Sequence, residues 1–402
     1  ETPTLGSIDT TNFVDYNWQK EVFSPATFQD YSLSMTGGNE RSNYHTSLGF
    51  MNNEGIVKPS DYKIFRFKAN INTRLAEKIT WTNNISYVYS RKVGLNDGST
   101  GYDGGLMSVF WYNPFLPIHD PDNPDRFFIN SIQPMVDNPP AAIEGQKDQE
   151  SFSNRLDGKT SLKIEILPGF TSTTNFIANI NYGYGRSYLS KLHTYNGRDV
   201  GGSASFGGGL GVGLRLEQHL NYQNTIGRNY ISILGGFINY NYNNNSWSGG
   251  ASGYPGDNVH YVQSGTNTLS ASNGLGQSRK LSFIGRLQYT FDETYILQGN
   301  VRYDGSSKFG PEKRWGLFPS LSAAWKMQNM DFIKVNLPWI SELKPRVSYG
   351  VSGNDRIGDY RYLDTYGAMG GFYNDQDLNT AMLLDNDIYP GVGPIFRFNP
   401  RL

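Results

Sequence analysis

From about residue 29 onward, apolar and polar side chains alternate with a period of two, the repeat of a β-strand whose two faces meet different surroundings. The run "LSFIGRLQYTF" puts Leu281, Phe283, Leu287, Tyr289 and Phe291 on one face, with Gly285 among them. Ser282, Arg286, Gln288 and Thr290 lie on the other, with Ile284 as the exception. After the turn "DET", Tyr295, Leu297, Val301 and Tyr303 continue the apolar side, and Gln298, Asn300 and Arg302 the polar side. Twelve such strands are predicted, near residues 29–36, 43–51, 62–73, 79–91, 152–166, 170–188, 212–224, 229–242, 279–291, 294–304, 315–326 and 343–353. A weaker thirteenth lies near 361–367. Most helical signal falls in "MQNMDFIKVNLPWISELK", which has room for one short helix.

The connections alternate in length. "TGGNERSN", "LAEK", "LPG", "NTIGR" and "DET" are short, whereas "MNNEGIVKPSD" and the stretches 92–151, 189–211, 243–279 and 304–314 are long. Short turns at one end and long loops at the other are the pattern of an outer-membrane barrel. Structureless loops this long count against a compact soluble domain. Aromatic pairs of equal parity recur within single strands: Tyr44 and Phe50, Trp81 and Tyr87, Phe170 and Tyr182, Tyr230 and Tyr240, Tyr295 and Tyr303. Equal parity means a shared face. At ~3.3 Å per residue the last pair stands roughly 26 Å apart, or roughly 20 Å in height at a ~40° tilt, near the ~25 Å apolar band between aromatic girdles. The expected fold is therefore all-β, an antiparallel transmembrane barrel with its apolar face to lipid. Arg286, Gln288, Gln298 and Arg302 are then lumen-facing. The competing reading is a soluble β-sandwich, which would bury its long apolar side chains between two sheets.

Composition agrees with this picture. Of 402 residues only 37% are hydrophobic, yet 14% are aromatic, with 27 Tyr, 23 Phe and 46 Gly. So many aromatics exclude a disordered chain. A net charge of -1 gives no overall basic balance for nucleic acid. The absence of cysteine excludes disulfides and thiolate metal sites. No apolar run approaches the ~18 residues of a membrane helix. The opening "ETPTLGSIDTTNFVDYNWQKEVF" reads as mid-protein sequence, so a preceding part is expected.

Catalytic and metal chemistry is not legible. His45, His119, His193, His219 and His260 are scattered and form no metal-ligand spacing. "FGGGLGVG" lacks a dinucleotide-binding spacing and reads as a loop opening into a strand. "DPDNPD" (Asp120 to Asp125) departs from a calcium loop, and reads as a solvated acidic turn with a surface Ca²⁺ as the alternative. No cofactor is expected and an enzyme is not. The candidate cargo-contacting residues are Tyr102, Phe110, Trp111, Tyr112 and Phe115, in a loop too long to be a mere connector, because flat aromatic faces stack on sugar rings or pack on peptide side chains. The competing role is packing of the loop itself. Trp247 and Tyr254, in "NNNSWSGGASGYPGDNVHYV", form a second candidate group.

The segment "VRYDGSSKFGPEKRWGLFPSLSAAWKM" resembles a signature of the SusC/RagA family of TonB-dependent outer-membrane transporters of Bacteroidetes. "TNFVDYNWQKEVF", "YSLSMTGGNERSNYHTSLGFMNNEGIV", "YNPFLPIHDPDN" and "LKPRVSYGVSGNDRIGDYRYL" resemble the same family in the same order, and "FNPRL" is similar to the start of a later motif. The family's plug domain, TonB box and later strands have no counterpart here. The resemblance therefore implies a middle portion of a 22-stranded-class plugged barrel. It implies residues 1–28 as a plug-to-barrel junction and 29–402 as partial barrel. It further implies active import of a glycan or oligopeptide cargo across the outer membrane, a SusD-like surface lipoprotein as lid, and the TonB–ExbB–ExbD complex acting through the plug. A passive porin-like or adhesin-like barrel is the alternative, and a soluble binding module or a surface glycosidase are more distant ones.

Overall fold

The computed structural model describes residues 15–95, 106–130, 135–146, 148–363, 365–369, 381–384 and 387–396. Twelve strands form one antiparallel sheet in which each strand pairs with the next strand of the sheet along the chain. It begins with β1 (Phe28–Gly38), β2 (Ser42–Glu54), β3 (Asp61–Ala76) and β4 (Ile79–Val93). A small hairpin, β5 (His119–Asp120) and β6 (Asn123–Phe127), lies within the connection that follows. The large sheet resumes with β7 (Glu150–Leu167), β8 (Phe170–Leu189), β9 (Ser203–Ile226) and β10 (Asn229–Ser252). It ends with β11 (Asn267–Phe291), β12 (Tyr295–Ser306), β13 (Trp315–Trp325) and β14 (Arg346–Gly350). A separate sheet holds β15 (Thr365–Met369), β16 (Ala381–Leu384) and β17 (Asp387–Phe396). Short helices α1 (Trp18–Val22), α2 (Ser108–Trp111), α3 (Pro139–Glu144) and α4 (Tyr195–Val200) precede β1 or sit in connections. A fifth, α5 (Asp331–Asn336), falls where the sequence predicts one.

Each of the twelve predicted strands corresponds to a strand of the large sheet, and the weak thirteenth overlaps β15 of the small one. The differences lie at strand ends. β9 starts at Ser203, β10 runs to Ser252 and β11 begins at Asn267, so most of the expected loop 243–279 and the glycine run are strand. Glycine and asparagine disfavour strands in isolation, but here the ladder between β9, β10 and β11 supplies partners on both sides. The glycines also make room. Trp247 stands opposite Gly208 and its ring reaches Tyr182, with centroids 6.3 Å apart. A Cβ on Gly208 would come within 3.0 Å of the indole.

Register carries a single apolar face from edge to edge. Leu33, Leu48, Phe67, Tyr87, Leu156, Ile180 and Val212 are successive partners across β1 to β9. Phe237, Phe283, Tyr303 and Leu317 are successive partners on the same face from β10 to β13. This face has no second sheet over it: Leu287 is 52% exposed and Leu297 49%. A sandwich would bury both, so the apolar face is the outer wall of a barrel. Phe291, Tyr295 and Trp325 stack in series at one end of the band, with centroids 6.5 and 6.0 Å apart. Tyr303 stacks on Trp315 at the other end, 4.8 Å apart. These are the two levels of an aromatic girdle.

One expected girdle pair is misplaced. Tyr230 pairs with Thr290, and Tyr240 with Lys280, so both tyrosines lie on the polar face. Ile231, Ile233 and Phe237 take the outer positions of β10 instead. Equal parity within a strand establishes a shared face but not which face. That is settled by the neighbours: the Arg215 guanidinium lies 5.4 Å over the Tyr240 ring.

Connections after β1, β3, β7, β9 and β11 are turns of two or three residues; the one after β13, residues 326–345, is the exception at that end. The opposite end bears the connections 94–149, 190–202, 253–266 and 307–314. Residues 15–27 also lie at this long-connection end, where Phe23 bridges to Val57 and Tyr16 N donates to Pro114 O at 2.9 Å. The described part of the expected plug junction is thus a component of the loop cap, placed there by packing on its neighbours. Among the described residues β1 pairs with β2 alone and β14 with β13 alone, which leaves two unpaired edges.

In the complete protein, Leu287→Arg should cost ~2–4 kcal/mol of unfolding free energy if the position lies near the bilayer midplane, while Gln288→Arg should be nearly neutral. Denaturant titration of both variants in lipid checks this, and equal destabilisation would reject the assignment of faces.

Candidate functional site

The face opposite the apolar band is polar throughout. Arg286 pairs with Asn300, Gln288 with Gln298, and Ile284 with Arg302. All four residues expected on this side, Arg286, Gln288, Gln298 and Arg302, lie opposite the face of Leu287 and Leu297. They belong to a hydrogen-bonded surface. Gln298 donates to Asn300 at 3.2 Å and Asn300 to Ser320 at 3.2 Å. Arg302 binds Asp304 through Nε at 2.7 Å and Ser282 through Nη2 at 3.0 Å. A cavity of about 640 Å³ opens here at the long-connection end, lined among others by Lys280, Arg302, Asp304, Arg314, Phe318 and Asp355.

Register also sorts the charges. β3 and β4 place Arg66, Lys68, Arg74 and Lys92 on the polar face, and β7 adds Arg155, Lys159 and Lys163. Arg215, Lys280, Arg286, Arg302 and Arg346 follow on later strands. The carboxylates of these strands on the same face are Asp30, Asp157, Glu165, Glu217 and Asp304. Twelve cations thus face five anions. The outer face keeps its charges near the long connections, where Arg91 donates to Glu150 at 2.5 Å and Arg186 to Glu150 at 3.1 Å.

The aromatic loop divides into two groups. Tyr112 is 3% exposed and packs edge-on against Trp18, with centroids 5.2 Å apart. Val22, Val57, Val109 and Val136 complete this small core. Burial pushes the Tyr112 hydroxyl up to about 12. Such a side chain packs the cap and presents almost no surface. Phe110, Trp111 and Phe115 are all more than half exposed and form the outward surface of the same loop. Tyr102 lies outside the described residues. Tyr254 is buried: it meets Tyr188 edge-on at 5.3 Å and donates to Tyr261 O at 3.1 Å, so it too is a packing residue. Trp247 sits in β10 on the outer, apolar side, because it shares the face of Tyr182; it belongs to the wall rather than to a loop.

The residues that hold the cap together escaped the sequence reading. Asn138 donates to Ile118 O at 2.8 Å and Phe128 O at 3.3 Å, pinning the loop hairpin. Asp137 accepts from Tyr195 N at 2.7 Å and from Arg198 at 3.1 Å, tying α4 to the loop before β7. Asp257 accepts from the Tyr188 hydroxyl at 2.7 Å, Lys191 N at 3.0 Å and the Ser190 hydroxyl. His260 stacks on Tyr188 at 4.0 Å and meets Asp148. These contacts join the connections 94–149, 190–202 and 253–266 into one block. The partners of Asp137 and Asp257 are more than fifty residues away in sequence, which leaves no local motif to read. Among the described residues no cluster of His, Asp and Glu has the arrangement of a metal site.

No family model matches the chain. It is 27% identical over 377 residues to a curated TonB-dependent receptor P3 of Formosa agariphila, covering 92% of this chain and 37% of that protein. It is 26% identical over 389 residues to the TonB-dependent receptor SusC of Bacteroides thetaiotaomicron, covering 87% of this chain and 36% of that protein. The chain thus spans little more than a third of the length of these relatives. A solved structure of the RagAB peptide transporter matches with a TM-score of 0.77 at 20% identity, over 96% of this chain and 42% of that one. A structure of the RagAB peptide importer in its open-open state matches equally well, with a TM-score of 0.77. The resemblance to the SusC/RagA family read from the sequence is borne out, and so is the antiparallel barrel fold.

Two outcomes follow from the cap. Tyr112→Ala should loosen it by about 3–5 kcal/mol, the cost of emptying a buried aromatic site, whereas Phe115→Ala should leave it intact; limited proteolysis of the full-length protein separates the two. Burial raises the Asp257 carboxyl, but the donors from Ser190, Tyr188 and Lys191 N outweigh it and hold the group below its ordinary value. A depressed carboxylate stabilises above the unfolded value of about 4 and loses that contribution as pH falls through the folded value. Hydrogen-exchange protection of residues 253–266 should therefore be level from neutral pH down to about 5 and drop below about 4, and Asp257→Asn should abolish the drop.

Proposed function

We propose that the complete protein is a TonB-dependent importer of a large nutrient, a glycan or an oligopeptide, in the outer membrane of a Bacteroidetes-like bacterium. The observation that carries this reading is the sorting of one long meander into a continuous apolar wall and an opposite polar wall. In a closed barrel the apolar wall meets lipid and the polar wall lines the passage. Unpaired strand edges are not tolerated in a bilayer, so further strands cover β1 and β14. The similarity to TonB-dependent receptors supports energised passage over a passive pore.

The cap of interlocked connections belongs on the cell-exterior side, where barrels carry their long loops. Phe110, Trp111 and Phe115 are its exposed aromatic surface, and exposed apolar patches mark contact sites. They serve as the contact for cargo or for a SusD-like lipoprotein lid. TonB–ExbB–ExbD acts on the plug of the complete protein.

A deletion strain complemented with the full gene should take up its nutrient only when TonB is intact. Uptake that persists without TonB would leave a passive barrel as the better reading. Trp111→Ala should weaken binding of cargo or lid by ~1–3 kcal/mol, the usual cost of removing a stacking or hot-spot aromatic, with the barrel still folded. Calorimetry on the purified receptor and its lipoprotein measures this; unchanged affinities for both would remove the loop from the site.

A further inference from the structure

The connections at the short-turn end are of two kinds. Residues 39–41, 77–78, 168–169, 227–228 and 292–294 are tight turns built from Asn, Glu, Arg, Lys, Pro, Gly, Asp and Thr. Two or three such residues are all that a hairpin facing water requires. The connection 326–345 is far longer and carries Phe332, Ile333, Val335, Leu337, Trp339 and Ile340.

Its path is fixed by hydrogen bonds. Trp325 N donates to Pro345 O at 3.0 Å and Met327 N to Leu343 O at 2.9 Å, so the β13–β14 hairpin continues past its ladder. Lys326 N donates to Thr294 O at 2.8 Å and Asn329 Nδ2 to Glu293 O at 3.0 Å, which ties the connection to the β11–β12 turn. Asp331 and Lys334 of α5 line a cavity together with Arg228, Asp292 and Tyr295. The helix therefore follows the row of turns along the rim of the sheet. Residues three apart share a helical face, so Asp331 and Lys334 form a polar stripe on the rim and Phe332 and Val335 an apolar stripe beside it. Ile333 is buried, whereas Phe332 is 68% exposed, Val335 76% and Trp339 78%. All three are barer than Leu287 and Leu297 of the lipid-facing wall.

That wall runs directly into the connection. Trp325 and Tyr295 stack at its edge, and the Arg228 guanidinium lies 5.4 Å over the Phe291 ring. An apolar groove of about 590 Å³ crosses the outer face here, lined by Tyr289, Leu297, Ala323, Trp325, Pro345 and Val347. Both ends of the connection, Trp325 and Pro345, thus border surface that meets acyl chains.

We infer that residues 326–345 form a foot on the periplasm-facing leaflet of the outer membrane, with Phe332, Val335 and Trp339 seated among glycerophospholipids where headgroups meet acyl chains. An exposed apolar patch marks a contact site, and this one is continuous with the lipid-facing band. Aromatic rings favour the interfacial level. Lys326, Lys334 and Lys344 lie in the same connection and have stems long enough to place their ammonium groups among phosphates. The inference goes beyond the importer reading and uses only the barrel and the assignment of its short-turn end to the periplasm.

The test is spin labelling of the complete protein in nanodiscs of phosphatidylethanolamine and phosphatidylglycerol. This chain has no cysteine, so V335C, W339C and K334C each add one labelling site to it, any cysteine elsewhere in the protein being replaced. Collision rates with oxygen, which concentrates in lipid, and with a neutral water-soluble nickel chelate are then compared. Labels at 335 and 339 should meet oxygen more often than the chelate, and the label at 334 the reverse. Preference for the chelate at 335 or 339 would place the patch in water. Few collisions with either at these positions would mean that protein covers it, whether the plug or a periplasmic partner. A label at 334 that reads as lipid-embedded would contradict the orientation of α5. Each of these three results would overturn the inference. Loss of TonB-dependent uptake would strike the importer reading alone, so the two can fail separately.

Discussion

The structure depends on one constraint: inside a bilayer no water satisfies a backbone N–H or C=O, so every one must find a partner in the protein. A long antiparallel meander answers this with ladders that run unbroken from β1 to β14. The ladder fixes the register, and the register fixes everything else. It sends one side chain of each pair to lipid and the next to the opposite wall. A shift of one residue in any strand would exchange the two sets. The bulges near Arg74, Glu165 and Gly250 are confined to strand ends, where a change of register reverses no side chains within the apolar band.

The long-connection end follows a different logic. Its loops have backbone groups that no ladder satisfies, and buried side chains take over that task. Asn138, Asp137 and Asp257 each tie segments that are distant in the chain. Aromatic residues fill what space remains, with Trp18 and Tyr112 in one core and Tyr188 and Tyr254 in another. The result is a packed, hydrogen-bonded cap at the long-connection end. Phe110, Trp111 and Phe115 can project from it because Tyr112, beside them in sequence, anchors the loop from below.

The basic wall shows how composition can mislead. A net charge of -1 suggests no preference among charged partners. The sheet nevertheless gathers cations on one face, where the carboxylates are mostly engaged by neighbouring arginines. Acidic residues outside its strands, such as Asp120, Asp122 and Asp125 of the β5–β6 hairpin region, balance the total.

Alternation alone was enough to locate the twelve strands and to separate Leu287 from Gln288, because a period of two is a local property of the chain. Loop lengths and aromatic positions were likewise local and pointed to a barrel. What alternation could not settle was the face of β10, where Tyr230 and Tyr240 share a parity but Ile231, Ile233 and Phe237 hold the outer positions. Nor could it show that the glycine run of β9 is strand, since that depends on its ladder to β10, where Trp247 takes the space a side chain on Gly208 would fill. The division of the candidate aromatics, with Tyr112 and Tyr254 buried and Trp111 and Phe115 exposed, was decided by contacts across the cap. These features depend on which distant residues become neighbours, and only the paired and packed chain determines that.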